Sequence, residues 1–314
     1  MNSILKISAS LILLLSLGVC QRNFLQPNDT KPLGFALTNF DTSFQTTQQS
    51  LQLESTPSWK DPFNNMPRTW AGWYQREFRT ERIPFYAGIG VLTTLLVIYD
   101  HEMYIPARKL YEQNYSFRKF SDYSEFMGQG WFQFGIAGAF AIHGFVADNN
   151  KSLQTASQTV EVILTCGAVI QLLKHVTGRE TPILATSWSG KWVLFPNQID
   201  YIKHVPKYDA FPTGHLATAT ATLTVIMDNY PEATWIPYIG YPAIACIGVA
   251  MVGQGIHWVS DYPLGIAIGY SFAKVINSRH SQERSSIRQS LLHPNASLTL
   301  LQGFTPGISL EWPL

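Results

Sequence analysis

Cysteine is scarce in this chain, three residues in 314, and their spacing suits neither a disulfide framework nor a zinc site. Cys166 and Cys246 sit inside apolar segments, where a thiol behaves as a small buried hydrophobe. Charge is scarce too: 22 basic and 21 acidic residues make up 14% of the chain and leave a net charge of +1. With no basic stripe interleaved with aromatics, nucleic acid is excluded as a partner. Long apolar runs are also few. Most fall short of the ~20 residues that cross a bilayer, and the mean hydropathy is +0.01. Aromatic residues are plentiful, at 13% with nine tryptophans, which suits a surface partly apolar and partly wet and a membrane neighbourhood. The length allows one large domain with extensions or two modest ones.

Residues 1–20 have the build of an export signal, with Lys6 as the positive start and Leu11 to Leu17 as a short apolar stretch. Leu17-Gly18-Val19-Cys20 resembles a bacterial lipoprotein box with Cys20 lipidated; cleavage after Cys20, with Gly18 and Cys20 as the small pair, is the other reading. Residues 21–67 are rich in Thr, Gln, Asn and Pro without a sustained apolar period, the composition of a loosely ordered extension. Next, Trp70, Trp73, Tyr74 and Phe78 recur at helical spacing beside Arg76, Arg79 and Arg82, as in a helix lying on a bilayer surface or packed on a core.

Six apolar segments follow, at 85–99, 131–147, 156–173, 216–227, 235–252 and 262–276. The simplest parse is an all-α fold, a six-helix bundle occupying residues 68–276. The short segments, and Gln158, Glu161 and Gln171 in the third, keep a soluble bundle open beside a spanning one. Gly135 with Ala139, and Gly265 with Gly269, place small residues four apart, which lets helices approach closely in either setting. Residues 277–314 turn to Ser, Arg and His and then to two alternating stretches beginning at Ala296 and Gly307, read as a short β-hairpin.

Three fragments carry chemistry. Phe211-Pro212-Thr213-Gly214-His215 precedes an apolar run from Leu216 to Met227, a helix entry with Thr213 near the cap and backbone N–H groups aimed at an anion. His215, just inside, is placed to give a proton to a leaving oxygen, a step worth about 10²–10⁴-fold. In Gly255-Ile256-His257-Trp258-Val259-Ser260-Asp261, His257 and Asp261 are four apart. On a helix they are neighbours, so the carboxylate accepts the imidazole N–H and leaves the other nitrogen free to attack phosphorus. The run from Leu173 through Lys174, Gly178, Arg179 and Thr181 to Pro182 ends the third apolar segment with cations suited to a phosphate. His143 has no accompanying motif and reads as a satisfied structural residue.

In this order and at these separations the fragments resemble the signatures of the type 2 phosphatidic acid phosphatase and vanadium haloperoxidase superfamily. That pattern runs Lys, six residues, Arg-Pro; then Pro-Ser-Gly-His; then Ser-Arg, five residues, His, three residues, Asp. The likeness covers about residues 85–276, with Lys174, Pro182, Pro212, Gly214, His215, His257 and Asp261 on matching positions. Thr213 replaces the serine and keeps a hydroxyl. Thr181 stands at one arginine position and Ala250-Met251 at the Ser-Arg pair, so two guanidinium contacts to phosphate are missing. At roughly 1.5–3 kcal/mol each, their loss slows catalysis by about a hundredfold or more unless compensated. Arg179, two residues before Thr181 and on the same side of an extended segment, is the candidate replacement, and Gln254 can offer a neutral hydrogen bond near Met251.

The resemblance implies a phosphoric monoester or diphosphate hydrolase that needs no metal or other cofactor. Lys174, Arg179, Thr213 and the N–H groups near Gly214 hold the phosphoryl oxygens, His257 attacks phosphorus and Asp261 orients it. His215 protonates the departing alcohol, and water then cleaves the phosphohistidine. The expected substrate is a phosphorylated lipid, a prenyl diphosphate or a small phosphate ester. The expected location is the cell envelope, in or on the membrane, as a multi-pass or a periplasmic lipid-anchored protein. Two further readings keep the fold: a catalytically weakened member that binds a phosphorylated lipid, and a vanadate-dependent haloperoxidase with His257 as ligand.

Overall fold

The computed structural model describes residues 57–292, Asn295–Thr299 and Gly307–Glu311. The expected export signal, Cys20 and most of the extension lie outside them. The described chain is helical almost throughout: α1 (Asp61–Glu77), α2 (Ile83–Gln113), α3 (Tyr115–Gly128), α4 (Gly130–Val146), α5 (Asn150–Thr177), α6 (Gln198–Lys203), α7 (Gly214–Asn229), α8 (Ile236–Gln254) and α9 (Tyr262–Leu292). Each of the six apolar segments corresponds to one helix, but the described residues hold nine rather than six. The three outside those segments are α1, expected from its aromatic spacing, and α3 and the six-residue α6, which were missed because sequences such as YSFRKFSDYSEFMG for α3 mix charged and apolar residues. Such helices are held by packing of one face rather than by hydropathy. Also, α1 starts at Asp61, inside the segment read as an extension.

Asn295–Thr299 and Gly307–Glu311 pair antiparallel, with Asn295 opposite Glu311. The residues joining them lie outside the described set, so the hairpin stays an expectation.

Three stretches, Thr80–Gln113, Asn150–Thr177 and Ile236–Gln254, are long and apolar enough to cross a membrane, and Gly130–Val146 is apolar but shorter. These helices outrun the apolar segments read from sequence because polar turns extend them: α2 continues from Tyr99 to Gln113. Large side chains stand exposed on α2 (Val91, Leu95, Ile98) and on α4 (Trp131, Phe145, Val146).

The core gathers Val162, Cys166 and Ile170 of α5, Ala217, Ala221 and Val225 of α7, and Ile268, Phe272 and Ile276 of α9. Each large buried side chain there contributes about 1.5–3 kcal/mol. α1 packs on this core. Trp73 stacks on Phe272 at 4.7 Å between ring centroids and donates its N–H to Ser271 at 2.7 Å; Trp70 donates to the Thr165 carbonyl. Glu161, the charge in the third apolar segment, pairs with Arg279 at 2.8 Å and with the Thr69 hydroxyl. A buried carboxylate with two such partners is compensated. His143 bonds Ser152 at 2.8 Å, as a structural histidine would.

The two small-residue pairs behave differently. A β-carbon on Gly269 would lie 2.0 Å from the Ala217 carbonyl oxygen, and one on Gly265 2.6 Å from that of Thr213, so α9 rests directly on the first turns of α7. Gly135 has open space on its Cβ side; in α4 the close approach is at Gly144, against Leu153. Gly269→Ala is expected to lower stability by about 1–3 kcal/mol, since backbone rather than a flexible side chain must yield. Thermal unfolding of the detergent-solubilised protein measures this, and an unchanged midpoint contradicts it.

Candidate active site

Two glycines in the left-handed region turn the chain toward one end of the bundle. Gly178 (φ +52°) ends α5 where a β-carbon would meet the Val193 carbonyl at 2.2 Å, and Gly255 (φ +81°) ends α8. Both conformations favour glycine. The loops they start meet the N-terminus of α7, and two backbone bonds join the pieces: Ala210 N–H to the Arg179 carbonyl at 3.0 Å, and Thr213 N–H to the Asp261 carbonyl at 3.1 Å. Lys174, Gly214, His215, His257 and Asp261 are thereby carried to one place.

His257 is 1% exposed. Its Nδ1–H donates to the Ala210 carbonyl at 2.7 Å, which fixes the tautomer and leaves the Nε2 lone pair free. The expectation for Asp261 needs correction here. His257 and Asp261 do not share a helix: the chain leaves α8 at Gly255 and re-enters helix through a 3₁₀ turn, Val259–Asp261. Asp261 Oδ2 stands 3.5 Å from Nδ1, too far for a hydrogen bond, and accepts the Trp258 N–H at 2.7 Å instead. Asp261 thus shapes the turn that presents the imidazole. Burial holds His257 well below the usual histidine range; the charges of Lys174 and His215 push the same way, against Asp209 and the Ala210 carbonyl. Burial also pushes Asp261 up to about 6, opposed by Arg179 and the Trp258 N–H. At neutral pH the imidazole is therefore neutral and the carboxyl ionised.

Arg179 does not face the phosphate space. It is fully buried, with its guanidinium 4.7 Å from the Trp192 ring centre and 5.4 Å from that of Trp258. Nε donates to the Ser189 carbonyl at 3.2 Å. Nη2 donates to the same carbonyl and to Asp100, both at 2.7 Å, while Nη1 donates to Ser260 at 2.7 Å and to Asp261. All five N–H groups are occupied. The backbone is extended there, with Arg179 bridged to Trp192 and Asp209, but the side chain points to the buried carboxylates of Asp100 and Asp261 instead of a phosphate.

Lys174, 4% exposed, ends α5 with its ammonium paired to Asp209 at 2.7 Å. Its amine also lies 4.0 Å from where a β-carbon on Gly214 would stand, which puts it beside the start of α7. Thr213 occupies the N-cap position of α7 without a side-chain capping bond; its hydroxyl turns to the Met251 sulfur at 3.9 Å. Its expected contact to phosphate is therefore replaced by packing. Met251 is fully buried in an apolar cluster with Leu216 and Tyr262. Gln254 faces away, donating to Asp122 at 3.2 Å. Thr181 is buried, its hydroxyl without a hydrogen-bond partner among the described residues.

His215 meets His257 edge to face, with 5.6 Å between ring centroids. Its Nε2 bonds Glu125 of α3 at 3.1 Å. Sequence reasoning missed Glu125, Asp209, Asp100 and the Ala210 carbonyl. Asp209, three residues before Pro212, was close enough to its motif to be noticed; nothing in the local sequence marks Glu125 or Asp100. The arrangement holds one neutral imidazole with a free nitrogen, a second imidazole beside it, an ammonium and a helix N-terminus, enough for attack on an anionic centre with proton transfer to the group that leaves.

Residues 156–285 match the family model described as the PAP2 superfamily. No curated protein and no solved structure matches the chain.

Proposed function

We propose that this chain, a PAP2 superfamily member over residues 156–285, is a hydrolase that removes phosphate from a lipid phosphate or prenyl diphosphate through a phosphohistidine on His257. The observation that carries this reading is the buried His257 imidazole with its Nδ1–H on Ala210, beside His215. Lys174 and the N–H groups at the start of α7 hold the phosphoryl oxygens, the ammonium exchanging Asp209 for substrate. His257 Nε2 attacks phosphorus, His215 protonates the leaving oxygen, and water then cleaves the P–N bond. On this reading the six apolar helices form a bundle of the acid phosphatase and haloperoxidase type, sited in the cell envelope with its exposed apolar faces against lipid. Apolar side chains exposed on α2 and α4 support the choice of lipid, together with an apolar pocket lined by Leu92, Leu96, Leu216, Ile244 and Val259, of which Leu216 follows His215 in sequence.

The test is release of inorganic phosphate from lipid phosphates and small phosphomonoesters by the detergent-solubilised chain, followed against pH. His257 must be neutral to attack. Its pKa is depressed, so the protonation that silences it occurs below the ordinary 6.5. Corrected for substrate ionisation, kcat/KM should hold as pH falls through that value, and an acid limb centred at or above it contradicts the assignment. The binding-only reading is favoured by Lys174 being paired with Asp209 and by Met251 and Thr181 at the arginine positions. Saturable lipid-phosphate binding without phosphate release would establish it.

A further inference from the structure

We infer that Glu125 is a positioning residue for His215: its carboxylate takes the Nε2–H and leaves Nδ1 as the nitrogen that delivers the proton to the leaving oxygen. The inference rests on the hydrolase reading above and adds to it a residue outside all three motif fragments.

The geometry is built around that contact. Glu125 Oε1 lies 3.1 Å from His215 Nε2, with both side chains largely buried, 15% and 23% exposed. The carboxylate is itself clamped. Gln129, in the turn between α3 and α4, donates its amide N–H groups to Oε1 at 3.0 Å and Oε2 at 3.2 Å. The end of α3 also presses on the histidine, since a β-carbon on Gly128 would fall 3.1 Å from His215 Cβ and 2.8 Å from Ile247. A nucleophile or acid oriented by a second group, itself oriented by a third, is the recurring logic of such sites. The bond from His215 holds the Glu125 carboxyl below its usual range, aided by Gln129 and opposed by burial, so it is ionised at neutral pH.

With Nε2–H fixed on an ionised carboxylate, the imidazolium carries its second proton on Nδ1, which has no protein partner among the described residues. In the first step the His257 Nε2–P bond forms and the P–O bond to the leaving group breaks, while the Nδ1 proton of His215 moves to the departing oxygen. In the second, the oxygen of water bonds phosphorus, the P–N bond breaks and a proton of that water returns to Nδ1. Glu125 stays unprotonated throughout.

The experiment compares kcat/KM for an alkyl phosphate, whose leaving group needs a proton, and 4-nitrophenyl phosphate, whose leaving group does not, in wild type, Glu125→Gln, Glu125→Asp and His257→Ala. Glu125→Gln should lose on the order of 10²-fold on the alkyl ester and no more than about threefold on the aryl ester, with Glu125→Asp partly restoring the former. Equal losses on both substrates would place Glu125 in folding or substrate binding and overturn the inference, as would unchanged or improved turnover of the alkyl ester. The last result would mean that the carboxylate merely stands in the way of phosphate. His257→Ala separates the levels: full activity in that variant ends the phosphohistidine mechanism on which the inference rests, whereas its silence on both esters leaves that mechanism standing whatever Glu125 does.

Discussion

His257→Ala is expected to lower phosphate release by on the order of 10⁴-fold or more while leaving the protein folded. The kinetic loss follows from removing the only atom proposed to bond phosphorus, which no neighbour replaces: on the same proposal His215 keeps Nε2 on Glu125 and a proton on Nδ1, and the Lys174 amine is held on Asp209. The structural loss is smaller. The Ala210 carbonyl gives up its buried partner, at about 1–3 kcal/mol, against a total stability of roughly 5–15 kcal/mol for a folded domain. His257→Asn refines the test, since its amide can still donate to Ala210 but cannot attack. It should be as silent as the alanine variant and melt nearer to wild type. Steady-state turnover, together with a search for acid-labile phosphoryl label on the protein, checks both. Label or wild-type turnover in either variant would remove His257 from the mechanism.

The second large effect is on stability. Arg179→Met should destabilise the protein by about 3–5 kcal/mol or more, because it leaves Asp100 and Asp261 as buried carboxylates without their cation. Arg179→Lys should recover little, since one ammonium cannot reproduce a planar fork that serves two carboxylates, a hydroxyl and a carbonyl between two indole rings. Arg179→Met combined with Asp100→Leu should regain part of the loss, with a coupling on the order of 0.5–3 kcal/mol. Thermal unfolding of these proteins and of Asp100→Leu alone measures this. If Arg179 were instead a phosphate ligand, its lysine variant would melt like wild type and show only a raised KM for phosphate esters.

The pattern of legible and illegible features follows from the range of the interactions. Hydropathy marked the six apolar helices because each buries or exposes a continuous apolar length, and the glycines at 265 and 269 signalled a close crossing because their spacing alone permits one. The meeting of Lys174, His215 and His257 was foreshadowed by the order of three short fragments. The contacts that tune those groups were not. The i, i+4 argument for His257 and Asp261 assumed a helix that Gly255 ends, and the true partner of the imidazole is a carbonyl 47 residues away. Arg179 was read from its distance to Thr181, but Asp100, 79 residues earlier, decides where it points. Glu125 precedes His215 by 90 residues on a helix too polar to be noticed.

The contact between Gly265 and the Thr213 carbonyl has a further consequence. Thr213 leads into His215, and Gly265 belongs to the first turns of the helix entered from His257 and Asp261, so the spacing of the two imidazoles is gauged where two backbones touch. A methyl group at position 265 would act as a shim. Reactions of this kind respond to shifts of an ångström or less, and rate could thus be adjusted at a place that never meets the substrate.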